Sequence, residues 1–461
     1  MQISCGSFRH PLFLFVALFS LSCAVFSASG LGNQPVWTPV QAMQQAIITN
    51  PGILEARADY ERQTGVLLNV RSALLPKAEA VGSANSRDRS LIDISPGSAS
   101  LPPFQQTSVS EKSYSLGVEI RQLAFDGFVA FNQFRQHSYL KQTSFWRLAS
   151  SSYRVLADVQ QAYDAILMNQ GIVETNKETV ASFQKLADIS AKRQAVGDVT
   201  VLDGLRVLTE LKRAKADLAA AYSTLVRSVE NFRKLLQVPS SSNLSESILL
   251  EGSLEQKYFL IAREDALARA DALQPEIIAA REEVRAAKMK MYSSLGDYLP
   301  RVDTFARYNV QSSYYDFDKT LDGWTLGVQG RWNLFDSFGR EGAIKADRAS
   351  LKASRVRLGD RRYRIASQVR ELYSQLEAMR QAIEFQHEAI SLGERTVREG
   401  ERLYAVGMSG VEEVIDAQLT LRRAQVDLYQ RVFENNRYVY ELEYTIGTQW
   451  VDPSVLVAKK R

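Results

Sequence analysis

Markers that recur in one order at a fixed spacing force two copies of a single structural unit, and this 461-residue chain carries them along most of its length. Asn50–Pro51 answers to Gln274–Pro275, and Leu75–Pro76 to Leu299–Pro300, each pair 224 residues apart. Further on the offset is 210: Leu116–Gly117–Val118 matches Leu326–Gly327–Val328, Phe125–Asp126 matches Phe335–Asp336, and Ala195–Val196–Gly197 matches Ala405–Val406–Gly407. Ala214 with Asp217–Leu218 likewise matches Ala424 with Asp427–Leu428. The drop in offset gives the first copy 14 extra residues between Pro76 and Phe125. The Ser/Pro-rich run Leu91–Gln106, a loop by composition, is the surplus, and a second loop-like run, Pro239–Ser247, joins the copies. The expected organisation is a signal segment at 1–29, a first repeat at 36–237, a linker at 238–262, a second repeat at 263–449 and a tail at 450–461.

Each copy predicts the same succession of elements. A helix of about 25 residues ends before a proline, two strand-like runs follow, and then come a helix of nearly 70 residues, a short turn and a helix of about 38. In the long helix Val159, Ile166, Val173, Val180 and Ala187 recur every seven residues, as do Val369, Leu376, Ile383, Ile390 and Val397. Val155 and Ala162, with Ile365, Leu372 and Met379, add the second heptad position. Such a period argues for coiled-coil packing, in a helix roughly 100 Å long at 1.5 Å per residue. In the strand-like runs, Val302, Thr304, Ala306, Tyr308 and Val310 interleave with Asp303, Arg307, Asn309 and Gln311, and only Phe305 breaks the pattern. The return run sets Trp324, Leu326, Val328, Trp332 and Leu334 against Thr325, Gln329, Arg331 and Asn333; Tyr114, Leu116, Val118 and Ile120 alternate in the first copy. One apolar face, one polar face and aromatic ends, among them Tyr114, Tyr308, Trp324 and Trp332, fit lipid-facing strands of a water-lined barrel. A half-buried hairpin on a soluble domain has the same alternation.

The N-terminus sets the compartment. Arg9 and His10 precede the apolar run Leu12–Phe26, and Ala28–Ser29–Gly30 supplies small residues for cleavage near 28–30, as in a secretory signal. The run is short of the roughly 20 residues a membrane-spanning helix needs. Leu21–Ser22–Cys23 approaches a lipidation site, with the leucine one place too close to the cysteine. Removing this segment takes both cysteines, Cys5 and Cys23, and leaves two histidines, His137 and His387, which are expected at the surface or in packing. That disfavours a thiolate metal site, a cysteine nucleophile and an enzyme generally. No cofactor or metal is expected, and a net charge of +4 is too balanced for a nucleic-acid partner.

Four strands cannot close a barrel, and an open sheet edge in hydrocarbon leaves backbone groups unpaired at several kcal/mol each. Strands that enter a membrane must therefore be pooled by several chains. At this point the chain resembles the TolC family of outer-membrane efflux and secretion channels. The resemblance covers nearly the whole mature chain and rests on the duplication, the Asn50–Pro51 and Leu75–Pro76 markers, Phe335–Asp336, and Tyr404–Ala405–Val406–Gly407 running on to Val411, Glu413, Val414, Ile415 and Asp416. It implies an α+β membrane protein: a homotrimer with a 12-stranded β-barrel in the outer membrane, four strands per chain, above a long α-helical coiled-coil barrel in the periplasm. It further implies a periplasmic adaptor and an inner-membrane ABC or proton-driven transporter as partners, for efflux or type I secretion. The sequence does not choose between these cargoes. The rival class is a secreted coiled-coil structural or adhesive protein with soluble hairpins.

The family's ring of tip carboxylates falls here on Asp203, Glu413 and Asp416, and such a ring would favour cations. Helix chemistry is the plainer account, since acids are favoured in a first helical turn. Ser409–Gly410–Val411–Glu412 fits a capping box that would use Glu412, and Thr200 with Asp203 fits another. A latch arginine of the family is replaced by Ser409, while Arg206 stands at the position equivalent to Asp416. Arg206 is expected either to pair with a tip carboxylate on a neighbouring helix or to lie solvated. Tyr404 matches a latch tyrosine but equally suits packing between helices.

Overall fold

A computed structural model describes residues 37–88, 111–238, 250–313, 317 and 320–448. The signal segment, the surplus loop, residues 239–249 of the linker and the tail lie outside those residues.

Asn50 shows how local chemistry divides the chain. It ends helix α1 (Pro39–Thr49) and begins α2 (Pro51–Ser72), its side chain accepting from the Gly52 N–H while Pro51 fills the first helical position. Its amide also donates to the Leu235 carbonyl at 3.0 Å, tying this joint to the end of a later helix. Gln274 makes the same joint between α5 (Arg263–Leu273) and α6 (Pro275–Gly296), donating to the Tyr444 carbonyl. The sequence reading contained α2 and α6 but missed the short helices before them.

After α2 come strands β1 (Lys77–Ser86) and β2 (Lys112–Phe125), then helices α3 (Val129–Ala195) and α4 (Val201–Leu236). After α6 come β3 (Arg301–Ser312), β4 (Thr320–Arg331), α7 (Gly339–Ala405) and α8 (Val411–Ile446). The 67-residue helices α3 and α7, and the 36-residue helices α4 and α8, keep the 210-residue offset at both ends. The Phe–Asp markers sit where strand turns into long helix. There Gly127 and Phe128, and again Ser337 and Phe338, take positive φ. Asp126 accepts from the Ala130 N–H and Asp336 from the Arg340 N–H, closing the helix starts. Gly127 is obligatory: a Cβ there would lie 2.2 Å from the Gly296 carbonyl oxygen.

The strands form one antiparallel sheet in the order β1-β2-β3-β4. The heptad positions Val159, Ile166 and Val173 are buried along α3, as are Val369 and Ile383 along α7. Three main clusters form the core: a tip cluster around Phe183 and Tyr404, and two mid-length clusters around Phe232 and around Val369. At mid-length the segment 250–261 is bound across the helices. Tyr163 donates to the carbonyls of Trp37 and Glu251, Asn435 to that of Lys257, Asn436 to that of Glu255, and Tyr373 to that of Ile261.

Candidate functional site

The sheet separates two chemistries. Val118 of β2, Tyr308 of β3 and Trp324 of β4 are in register on one face, followed by Ile120, Ala306 and Leu326. Leu116 and Tyr114 continue that face. These residues are largely exposed, Trp324 to 74%, an unusual load of apolar surface facing outward. The opposite face holds Glu119, bound by Arg121 at 2.7 Å and Arg307 at 2.5 Å, with Arg301 bound to Asp303 and Ser83 to Ser115. Phe305 breaks the alternation for a local reason: its ring fills the space over Gly327 across the pair, where a Cβ would come within 2.5 Å. Arg307 lies beside that ring. Trp332 does not belong to the strand as expected. The last β4 residue is Arg331, and the Trp332 indole donates to the Tyr298 carbonyl at 3.0 Å just beyond it.

At the other end the two helix–turn–helix tips are built alike. Gly197 and Gly407 take positive φ, and paired backbone bonds close the ends of α3 and α7: Gly197 and Asp198 donate to Gln194 and Arg193, Gly407 and Met408 to Tyr404 and Leu403. Thr200 and Asp203 form a reciprocal capping box on α4, so Asp203 serves the helix start. On α8 the expected box does not form, because Gly410 rather than Ser409 takes the cap position. Ser409 instead bonds Glu413. Glu412 is thereby released, and Arg206 crosses from α4 to meet it at 3.3 Å, with Asp203 at 4.0 Å. Asp416 is exposed and has no ion pair among the described residues.

Tyr404 is buried between Phe183, Leu186 and Val207, and its hydroxyl has no hydrogen-bond partner among the described residues. Its carbonyl accepts from Arg193 at 2.6 Å, and that guanidinium stacks 4.9 Å from its own ring. Sequence reasoning passed over Arg193. The available signal was a cation in the last turn of α3, ordinary at a helix C-terminus, and nothing in the chain order says that it also serves the C-terminus of α7. Of the two histidines, His387 is exposed and His137 is part-buried, its pKa pushed down by burial and then by Lys290.

Comparisons with known proteins agree with this geometry. The chain has the fold of a membrane protein from Pseudomonas aeruginosa, with a TM-score of 0.79 over 92% of each chain at 15% identity. The CmeC outer membrane channel of Campylobacter jejuni gives 0.75 over 90% of this chain and 88% of that one at 13% identity. The outer membrane protein VceC of Vibrio cholerae gives 0.74 over 89% and 96% at 15%. Residues 42–237 and 266–432 match the model of a single family, and the chain is a member of it: the outer membrane efflux protein family.

Proposed function

We propose that the protein is the passive exit duct of a tripartite efflux or type I secretion system. Three copies would pool their strands into one 12-stranded barrel in the outer membrane, with the helices forming a tunnel through the periplasm. The observation that carries the reading is the sheet. Among the described residues its greasy face has no cover, its other face is lined with charge, and β1 and β4 leave two open edges. Lipid satisfies the first face and water the second, and only a neighbouring chain satisfies the edges. A soluble adhesive rod would leave Trp324 and Leu326 in water. Tyr114, Tyr308, Trp324 and, beyond the strand end, Trp332 are then the lipid-facing aromatics. Asp203, Glu413 and Asp416 would line the closing tip, and Arg206 with Tyr404 would help hold it. A duct supplies no energy, so a periplasmic adaptor and an inner-membrane ABC or proton-driven transporter are the partners required.

Heat-modifiable migration in detergent, together with co-fractionation with outer membrane, tests the duct. Release as a soluble monomer refutes it. Pull-down from cross-linked cells then separates the two systems: an ABC exporter means secretion, and a proton-driven pump means efflux.

A further inference from the structure

Charge is spread unevenly along this molecule. The helical stretches nearest the sheet are α2, α6 and the first parts of α3 and α7, residues 129–160 and 339–370. Together they hold twenty-one lysines and arginines against ten acids, an excess of eleven where the whole chain has four. Residues 339–370 alone carry ten cations and three acids. Four of those cations are paired: Arg340 with Asp336, Arg361 with Glu276, Arg362 with Asp271 and Arg364 with Asp360.

Part of this charge converges on one cavity. It has a volume of about 360 Å³ and is walled by α2, α3, α6 and α7. Arg62, Arg147, Lys290 and Arg357 line it, against two acids, Asp59 and Glu283. Arg62 is bound to Asp59 at 3.2 Å and Arg147 to Glu283 at 2.5 Å. Lys290 and Arg357 have no ion pair among the described residues. However the pairs exchange, two positive charges per chain are left over. Between the charges the wall is apolar, with Leu140, Ala286 and Ala287.

The cavity lies on the face of the helices that a duct turns inward. Arg147 precedes Tyr163 on α3 by 16 residues, and Arg357 precedes Tyr373 on α7 by the same 16. At 3.6 residues per turn each arginine stands about 160° around the helix from its tyrosine. Both tyrosines donate to the segment that crosses the helices. A segment laid across the wall of an open bore belongs outside it, so the arginines face inward. At physiological ionic strength a charge is felt over only about 8 Å. The cluster therefore does not filter a wide bore from wall to wall, but it can hold an anion that touches the wall.

We propose that this cavity is a binding site for a small organic dianion, one per chain, whose anionic groups are met by Lys290 and Arg357 and whose apolar body rests on Leu140, Ala286 and Ala287. The planar fork of Arg357 suits a carboxylate or sulfonate group. The inward direction of the site rests on the duct reading, to which the site adds a class of solute.

The test is titration calorimetry of the oligomer in neutral detergent at low salt, with a naphthalene disulfonate as the probe. Saturable binding of one probe per chain is expected, weakened about tenfold or more by Lys290→Gln with Arg357→Gln. Arg348→Gln with Arg355→Gln removes as much charge from the other face of α7. These two residues precede Tyr373 by 25 and 18 positions, close to whole numbers of turns, and neither lines the cavity. That second pair should change the affinity by less than about twofold. A heat-modifiable oligomer that binds no disulfonate, or loses it equally in both double variants, overturns the site and leaves the duct standing. Equal affinity for a naphthalene bearing two trimethylammonium groups also overturns it, since charge then selects nothing. A soluble monomer overturns the duct and the inward direction together.

Discussion

Two arginines cross between the helix pairs at the tip, and their surroundings rank them. Arg193 gives a charge-assisted hydrogen bond to the Tyr404 carbonyl at 2.6 Å, at the negative end of α7, and stacks over the Tyr404 ring. A hydrogen bond to a charged group is worth about 1.5–3 kcal/mol and an exposed cation–π contact about 0.5–1. Allowing for the water that replaces the guanidinium, Arg193→Ala should cost about 2–3 kcal/mol of closure. Arg206 meets Glu412 at 3.3 Å with the two side chains 44% and 70% exposed, and an exposed pair of that kind gives about 0.2–1 kcal/mol. If opening swings the α7–α8 tip away from the α3–α4 tip, Arg193→Ala raises the open fraction roughly 30- to 140-fold. Arg206→Ala raises it no more than about fivefold. Single-channel recording in planar bilayers reads both. Arg193→Lys should fall between them, since an ammonium keeps the charge but not the fork. Unchanged gating in Arg193→Ala, or a larger effect from Arg206→Ala, would refute the ranking, and unchanged conductance in Arg206→Ala alone removes Arg206 from the latch.

Three further outcomes follow from the fold. Gly127→Ala should destabilise the strand-to-helix turn by about 2–4 kcal/mol, because the positive φ and the 2.2 Å approach to the Gly296 carbonyl both oppose a Cβ; an unchanged thermal midpoint in detergent would contradict this. Phe232→Ala, at a fully buried ring between Trp37 and Tyr163, should cost about 3–5 kcal/mol in the same assay, and a loss below about 1 would show that the site collapses freely. Asp164 faces Asn436, Tyr440 and Lys257, and burial, against the two hydrogen bonds, raises its carboxyl above the ordinary range. The folded state therefore holds that proton more tightly. The linked stability is full below the unfolded pKa of about 3.9 and is lost as pH rises through the raised folded value. Asp164→Asn keeps the acceptor and should flatten this decline above about pH 4, so that identical slopes in variant and parent would refute the assignment.

Much of the architecture was readable because it is written in periods. The heptads of α3 and α7, the alternation of β3 and the 210-residue offset each reflect a repeating geometry, and each survived in the structure. What escaped depends on juxtapositions that no period encodes. Phe305 breaks the alternation because Gly327 lies opposite it across the strand pair. Glu412 fitted a cap by spacing, but the box depends on which of Ser409 and Gly410 takes the cap conformation. Arg193 acts 211 residues away along the chain, beyond any local rule. The short helices α1 and α5 were hidden because Pro51 and Pro275 mark a helix start and say nothing of what precedes it. Trp332 was misplaced for a different reason: its alternation continues that of β4, whereas within one chain the strand ends at Arg331.

The distribution of strong and weak contacts also bears on how a tip of this length would move. Asp164 accepts from Asn436 and Tyr440 at 2.8 Å each, and Asn436 in turn binds the segment that crosses the helices. This buried network joins α3 to α8 with its hydrogen bonds mutually satisfied, so separating the helices there would strand several polar groups at about 1–3 kcal/mol each. Towards the tip the polar contacts between the two helix pairs are Arg422 with Asp217 and Asn176, then Gln418 with Ser182, then the two arginines, beside an apolar cluster that packs Tyr404, Val414 and Ile415 against Phe183 and Val207. Asp164 lies about 44 Å from Arg193 at 1.5 Å per residue. A bend of about 10° at that network would carry the tip by some 8 Å, on the order of a helix spacing. Opening therefore needs to break only the contacts beyond the network. A partner that opens the tip would have to bind the open form better than the closed one by enough to offset both the exposure of that apolar cluster and the loss of the two arginine contacts.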